Sequence, residues 1–113
     1  IYLSNEAPIA TDATRADIAD LGTGNGYTAG GSDTQNTASE SPAGTMAVVG
    51  VDVTRTASGG SIGPFQYVIL YNQVGGLAST NKLIGWWDHG SALTLSNGES
   101  FTVDFGTTMF TIA

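Results

Sequence analysis

The chain has 113 residues, enough for one β domain with a modest core, and 41% of them are hydrophobic while 12% are charged. Three basic residues face ten acidic ones, a formal net charge of −7. That balance excludes a phosphate-neutralising surface and argues against direct nucleic-acid or anionic-membrane binding. It also leaves a basic protein surface as the electrostatic complement. With no cysteine there is no disulfide and no thiolate metal site.

In chain order, Ile1–Leu3 reads as a short β-like run, and Pro8 favours an extended or turning path after it. The segment "TDATRADIADLG" predicts the one helix: Thr14-x-x-Asp17 resembles a capping box, Ile18 and Leu21 share a face, and Gly22 stops it. "GNGYTA" (24–29) satisfies the G-x-G-x-x-A spacing of a dinucleotide-binding loop. A phosphate cradle follows a buried strand and opens a helix, whereas this stretch follows a helix and runs into "GGSDTQ", which cannot start one. Glycine's tolerance of positive φ makes a chain reversal the better reading. The small polar segment 30–44 is expected to be a surface loop, or to pair as a strand around Thr34–Ala38.

Met46–Thr54 alternates, with Val49, Val51 and Val53 on the face expected to be buried. "TASGGSIGP" reads as a loop. Phe65–Tyr71, "FQYVILY", is a near-continuous apolar run with an aromatic and β-branched bias, expected to be a central strand covered on both faces. Leu83–Asp88 predicts another strand, followed by a short one and an Asn97-Gly98 hairpin turn. Phe101, Val103 and Phe105 alternate with polar residues, and Met109–Ile112 is expected to close the sheet. Short strands separated by Gly-rich reversals predict a mainly β, single-domain antiparallel β-sandwich or small barrel, jelly-roll or Ig-like, with one short N-terminal helix.

Asp88-His89 is the one spot with acid–base character, but a catalytic His needs a nucleophile, metal or substrate pocket beside it. The ten acids are dispersed, and Asp and His before Gly90 suit a turn. No enzymatic activity, metal or cofactor is expected. Neighbouring residues of a strand face opposite ways, so one indole of Trp86-Trp87 can join the core while the other anchors a partner, unless both faces are covered.

Four segments together resemble a family of small tailed-bacteriophage virion structural proteins: "GNGYTAGG", "TASGGSIGPFQYVILYN", "LIGWWDHGSALTLSNGESFTVDF" and the terminal "FTIA". The resemblance runs from about Tyr2 to the end and brings no catalytic residues with it. It implies a head-associated or tail-associated component, and a capsid decoration (cement) protein is the first expectation. Such a protein binds the major capsid protein on the outer surface of the virion as a small homo-oligomer. A neck, tail or fibre adaptor is the alternative, or a carbohydrate- or receptor-binding module using Trp86 or Trp87 with Tyr27. Residues 1–10, through Ile1, Tyr2 and Leu3, are a candidate strap to neighbouring subunits. Ile62 and Pro64 of the 57–64 loop, with Trp86 and Trp87, complete the candidate contacts.

Overall fold

The computed structural model describes residues 1–41 and 43–112; Pro42 of the small polar segment and the terminal Ala113 of "FTIA" lie outside them. Its organising element is a long strand, β5 (Ile62–Asn72), which grows from the apolar run at 65–71. β5 is the middle of a three-stranded antiparallel sheet, between β1 (Tyr2–Ser4) and β6 (Lys82–Leu95). The register sets Leu3 opposite Val68, and Ile69 between Tyr2 and Trp86.

A second layer faces this sheet. β3 (Thr45–Val49) pairs with β2 (Thr37–Ser41) on one side and with β8 (Phe110–Ile112) on the other. β4 (Val53–Thr56) pairs with β7 (Ser100–Val103). The chain runs from β3 into β4 and from β7 into β8, so the layer behaves as one ribbon broken in the middle. The whole is a mainly β, antiparallel sandwich.

Alternation along β5 gives the sheet two apolar faces. Phe65, Val68 and Leu70 join Ile1, Leu3, Val48, Phe105 and Met109 in the main core between the layers. Ile69 turns the other way, onto Tyr2 and Ile18, with Tyr67, Tyr71 and Leu83 packed around them. The expectation that this run is covered on both faces therefore holds. Burying a side chain of this size contributes about 1.5–3 kcal/mol, which is why the strand with most such residues takes the centre.

The expected helix is absent, and the described residues contain no α-helix. Arg15–Asp17 makes one 3-10 turn, and Ile18 is already extended at φ −125°, ψ 121°. The Asp17 carboxylate does accept from the Ala13 and Thr14 amides, as a cap would. Beyond that turn, burial of Ile18 under Tyr2 and Ile69, and capture of the Ala19 amide by Glu6 (2.6 Å), pull the chain straight.

Two strand expectations also change. The 46–54 alternation is interrupted at Gly50–Asp52, so Val48 is buried while Val51 is 55% exposed. At the break the Asp52 carboxylate accepts from the Phe105 amide (3.0 Å), and the Val51 amide donates to Thr34 (2.8 Å). The Asn97-Gly98 turn exists, with Glu99 N–H on the Ser96 carbonyl (2.9 Å), but it links strands of different layers. It is not a hairpin, because the Ala57 backbone bonds both Gly98 and Glu99 and diverts the chain.

Candidate functional site

The G-x-G-x-x-A stretch is a corner. Gly24 and Tyr27 exchange both backbone hydrogen bonds (2.9 Å each), and Asn25 and Gly26 between them lie at φ 54° and 91°, the signs of a type I′ turn. Asn25 pins the turn to the 57–61 loop through Ser58 N–H (2.9 Å) and through its own amide to the Ser61 carbonyl (2.9 Å).

Asp20 organises the chain on either side of this corner. One of its carboxylate oxygens accepts from the Tyr27 hydroxyl, and the other from the Gly30 amide and the Arg15 guanidinium (3.1 Å). The Tyr27 oxygen in turn accepts from the Leu3 amide (3.0 Å), and the Tyr71 hydroxyl donates to the Gly30 carbonyl (2.8 Å). Arg15 lies over the rings of Tyr71 and Tyr2, at 5.4 and 5.8 Å. This hub joins the corner to β1 and β5. Sequence reading missed it because its members come from five places, and an isolated Asp before Leu-Gly carries no signal of its own.

The hub sets an alkaline limit. Burial holds the phenols of Tyr2 and Tyr27 above their ordinary value of 10, assisted by the Asp20 charge for Tyr2 and by the Asp20 hydrogen bond for Tyr27. With folded values raised, the stability that they contribute is complete below pH 10 and lost as the pH rises above it. The expected result is a denaturant midpoint that falls above about pH 10. Phenolate absorbance from these two rings should accompany unfolding rather than precede it. In the Tyr2→Phe, Tyr27→Phe double variant the fall should be shallower.

Of the candidate contacts, Ile1, Tyr2, Leu3 and Ile62 are buried in the chain's own core. Residues 1–4 are therefore not a free strap: β1 is hydrogen-bonded to β5, and Ile1 is tied to Ser32 by two backbone bonds, 2.7 and 2.8 Å. Pro64 is exposed. Trp86 is 51% and Trp87 37% exposed, so neither indole enters the core. Trp86 stands beside Ile69 on the outer face, whereas Trp87 faces the second layer and leans on Phe105 at 5.6 Å. Tyr27, bonded to Asp20 and Leu3, is buried and cannot belong to an exposed sugar platform.

β6 is an edge strand. Residues 13–15 cover its start, with Leu83 N–H on the Ala13 carbonyl (3.1 Å) and Arg15 N–H on the Asn81 carbonyl (2.8 Å). From Ile84 to Asp88, on the side away from β5, no strand of the described residues lies alongside. Ile84, 50% exposed, and both tryptophans flank this open backbone.

Asp88 ends that stretch. Its Oδ1 accepts from Gln66 Nε2 (2.9 Å) and from the Gly90 amide (2.7 Å), and these bonds hold its carboxyl below the ordinary value. His89 Nδ1 lies 3.1 Å from the Ser91 carbonyl oxygen. The pair thus opens a bulge within β6, and its polar atoms bond the bulge's own backbone and the Gln66 side chain of β5. No group of three His, Asp or Glu side chains able to hold a metal ion occurs among the described residues. None of their helices is long and apolar enough to cross a membrane.

A cleft of about 530 Å³ opens between the layers, with Val48, Leu70 and Met109 on its apolar side and Asp33 on its polar side. The Asp33 carboxylate is turned onto the Gln35 amide (2.8 Å). A smaller one of about 240 Å³ lies beside Trp87. No family model, curated protein or solved structure matches the chain.

Proposed function

We propose that this chain is a non-enzymatic structural component of a tailed-bacteriophage virion, a capsid decoration protein that binds the outer face of the major capsid shell and stabilises it. The sequence resemblance suggests the setting. The observation that carries the docking role is the open edge of β6, where Ile84, Trp86 and Trp87 border unpaired backbone. An exposed edge invites strand addition, and aromatic anchors beside it supply contact area and selectivity. Natural sheet proteins blunt such edges with charge or proline. This one carries apolar side chains there instead, as a docking strand would.

Copies of such a protein gather around the symmetry axes of a shell as a small homo-oligomer. Quantitative mass spectrometry of purified virions, referenced to the major capsid protein, tests the placement. Abundance comparable to the shell subunit is the expected result, and abundance far below it assigns the chain to the neck, tail or fibres. The edge is tested separately by Trp86→Ser. The indole is about half covered, so stability should fall by about 1–2 kcal/mol. Association with heads should fall at least tenfold, as for loss of a buried interface aromatic. Unchanged association would remove β6 from the contact.

A further inference from the structure

Past Asp88, strand β6 bulges away from β5 before rejoining it at Leu93. Tyr67 pairs with Asp88 and Phe65 with Leu93, so residues 89–92 bulge out, with Gly90 at φ 90°. The bulge sets the His89 ring against Phe101, centroids 6.0 Å apart, just as Trp87 is set against Phe105. These four rings line the smaller cleft, with the buried side chains of Val68 and Met109 also in its wall. Asp88 and Asp104 also line it, and both are exposed.

We propose that this cleft receives a single lysine or arginine side chain presented by a protein partner. Size comes first. Its volume of about 240 Å³ falls short of the roughly 300–1,000 Å³ that small-molecule sites need, yet it can admit one long side chain. Chemistry comes second. A basic side chain lays its aliphatic stem along apolar walls and holds its charged head at the rim. There the indole and phenyl faces attract a cation, and two carboxylates add to the pull.

Charge complementarity decides the occupant. Arg15 is paired with Asp20, Arg55 donates to Ser32 and lies over Tyr27, and Lys82 stands at the far end of β6. Among the described residues, then, no cation of this chain forms a salt bridge with Asp88 or Asp104. In a chain of net charge −7 these two carboxylates leave an unbalanced negative field over an aromatic cleft. A neutral apolar side chain would fill the walls and leave that field unanswered.

The inference deepens the docking reading by naming the partner's chemistry. Its test needs no virion, so a failure here leaves the copy-number result standing. The full chain is titrated with Nα-acetyl-lysine methylamide and with Nα-acetyl-arginine methylamide, followed by two-dimensional amide NMR. Nα-acetyl-norleucine methylamide, which has the stem without the charge, and methyl glucoside serve as comparisons. Both cationic probes should shift the Trp87 indole N–H and the amides of 87–90 and 101–105 saturably, and added salt should weaken them. The Trp86 indole, on the opposite face, should stay fixed. Norleucine should bind about fivefold more weakly or worse, and the D88N/D104N variant should lose a similar factor for the cations. Asparagine retains the oxygens that accept from Gly90 and Gly106, so unchanged dispersion elsewhere will show that variant folded. Absence of saturable shifts with the cations overturns the proposal. So does equal binding of norleucine, undiminished binding by D88N/D104N, or saturation by the glucoside in place of the cations.

Discussion

Replacing Gly31 with alanine is expected to remove about 3–5 kcal/mol of stability, enough to leave much of a chain this size unfolded. Two costs coincide there. The backbone sits at φ 76°, where a Cβ is strained by about 1–2 kcal/mol. The added methyl would also overlap the Ile1 carbonyl and lie 2.7 Å from the Tyr2 Cα. Both obstacles are backbone, so relief would require β1 to slide on β5 and draw Ile1 and Leu3 out of the main core. Gly106→Ala isolates the first cost, because Gly106 lies at φ 61° with open space where its Cβ would be. It should lose only about 1 kcal/mol. Urea titrations of the two variants beside the parent chain make the comparison. If Gly31→Ala costs no more than Gly106→Ala, the close packing of β1 against the corner is wrong.

That contrast bears on what the sequence could disclose. Both glycines look alike in the chain, and only the approach of a segment thirty residues away makes one of them indispensable. The same rule separates the expectations that hold from those that change. The central strand is legible because Phe65–Tyr71 is aromatic or β-branched apart from Gln66 and Leu70, over more residues than any competing signal. The 101–105 alternation is legible as well, and its apolar members do turn inward. The helix over 14–22 fails because a capping box specifies one turn and nothing more. Ile18, which should extend it, finds a better apolar site under Tyr2 than a helix face would give it. Val51 falls on the other face because alternation assumes an unbroken strand, and the break at Gly50 is dictated by Phe105 and Met109, which close in on it from far along the chain.

The candidate site divides in the same way. That Trp86 and Trp87 would face opposite sides follows from strand geometry alone. That neither would be covered depends on β6 being an edge, which is a property of the sheet order. The aromatic cleft is beyond sequence reading, since Trp87 and His89 belong to one layer and Phe101 and Phe105 to the other. Only the bulge in β6 brings His89 to Phe101.

The second large effect is expected at Asp20. Alanine there should cost about 3–4 kcal/mol, because it strands three groups at once. The Arg15 guanidinium, whose side chain is 19% exposed, loses its ion pair, and the Tyr27 hydroxyl and the Gly30 amide lose their acceptor. Arg15→Ala should cost less, since Asp20 would keep two donors and the rings of Tyr2 and Tyr71 would lose only a covering cation. Asp20→Asn should fall between these, at roughly 1–2 kcal/mol, as an amide oxygen can still accept while the charge is gone. A double-mutant cycle of Asp20→Ala with Tyr27→Phe should return at least about 1 kcal/mol of coupling, because the removed donor and acceptor serve each other. Coupling near zero would mean that the corner is held by Asn25 and its loop contacts instead. The effect should also be confined to stability. The hub is built on the corner, β1 and the Tyr71 end of β5, whereas the aromatic cleft is lined by Trp87 and His89 of β6 and by residues 101–109, with only Val68 from β5, so any Asp20 variant that remains folded should bind the cationic probes as the parent chain does.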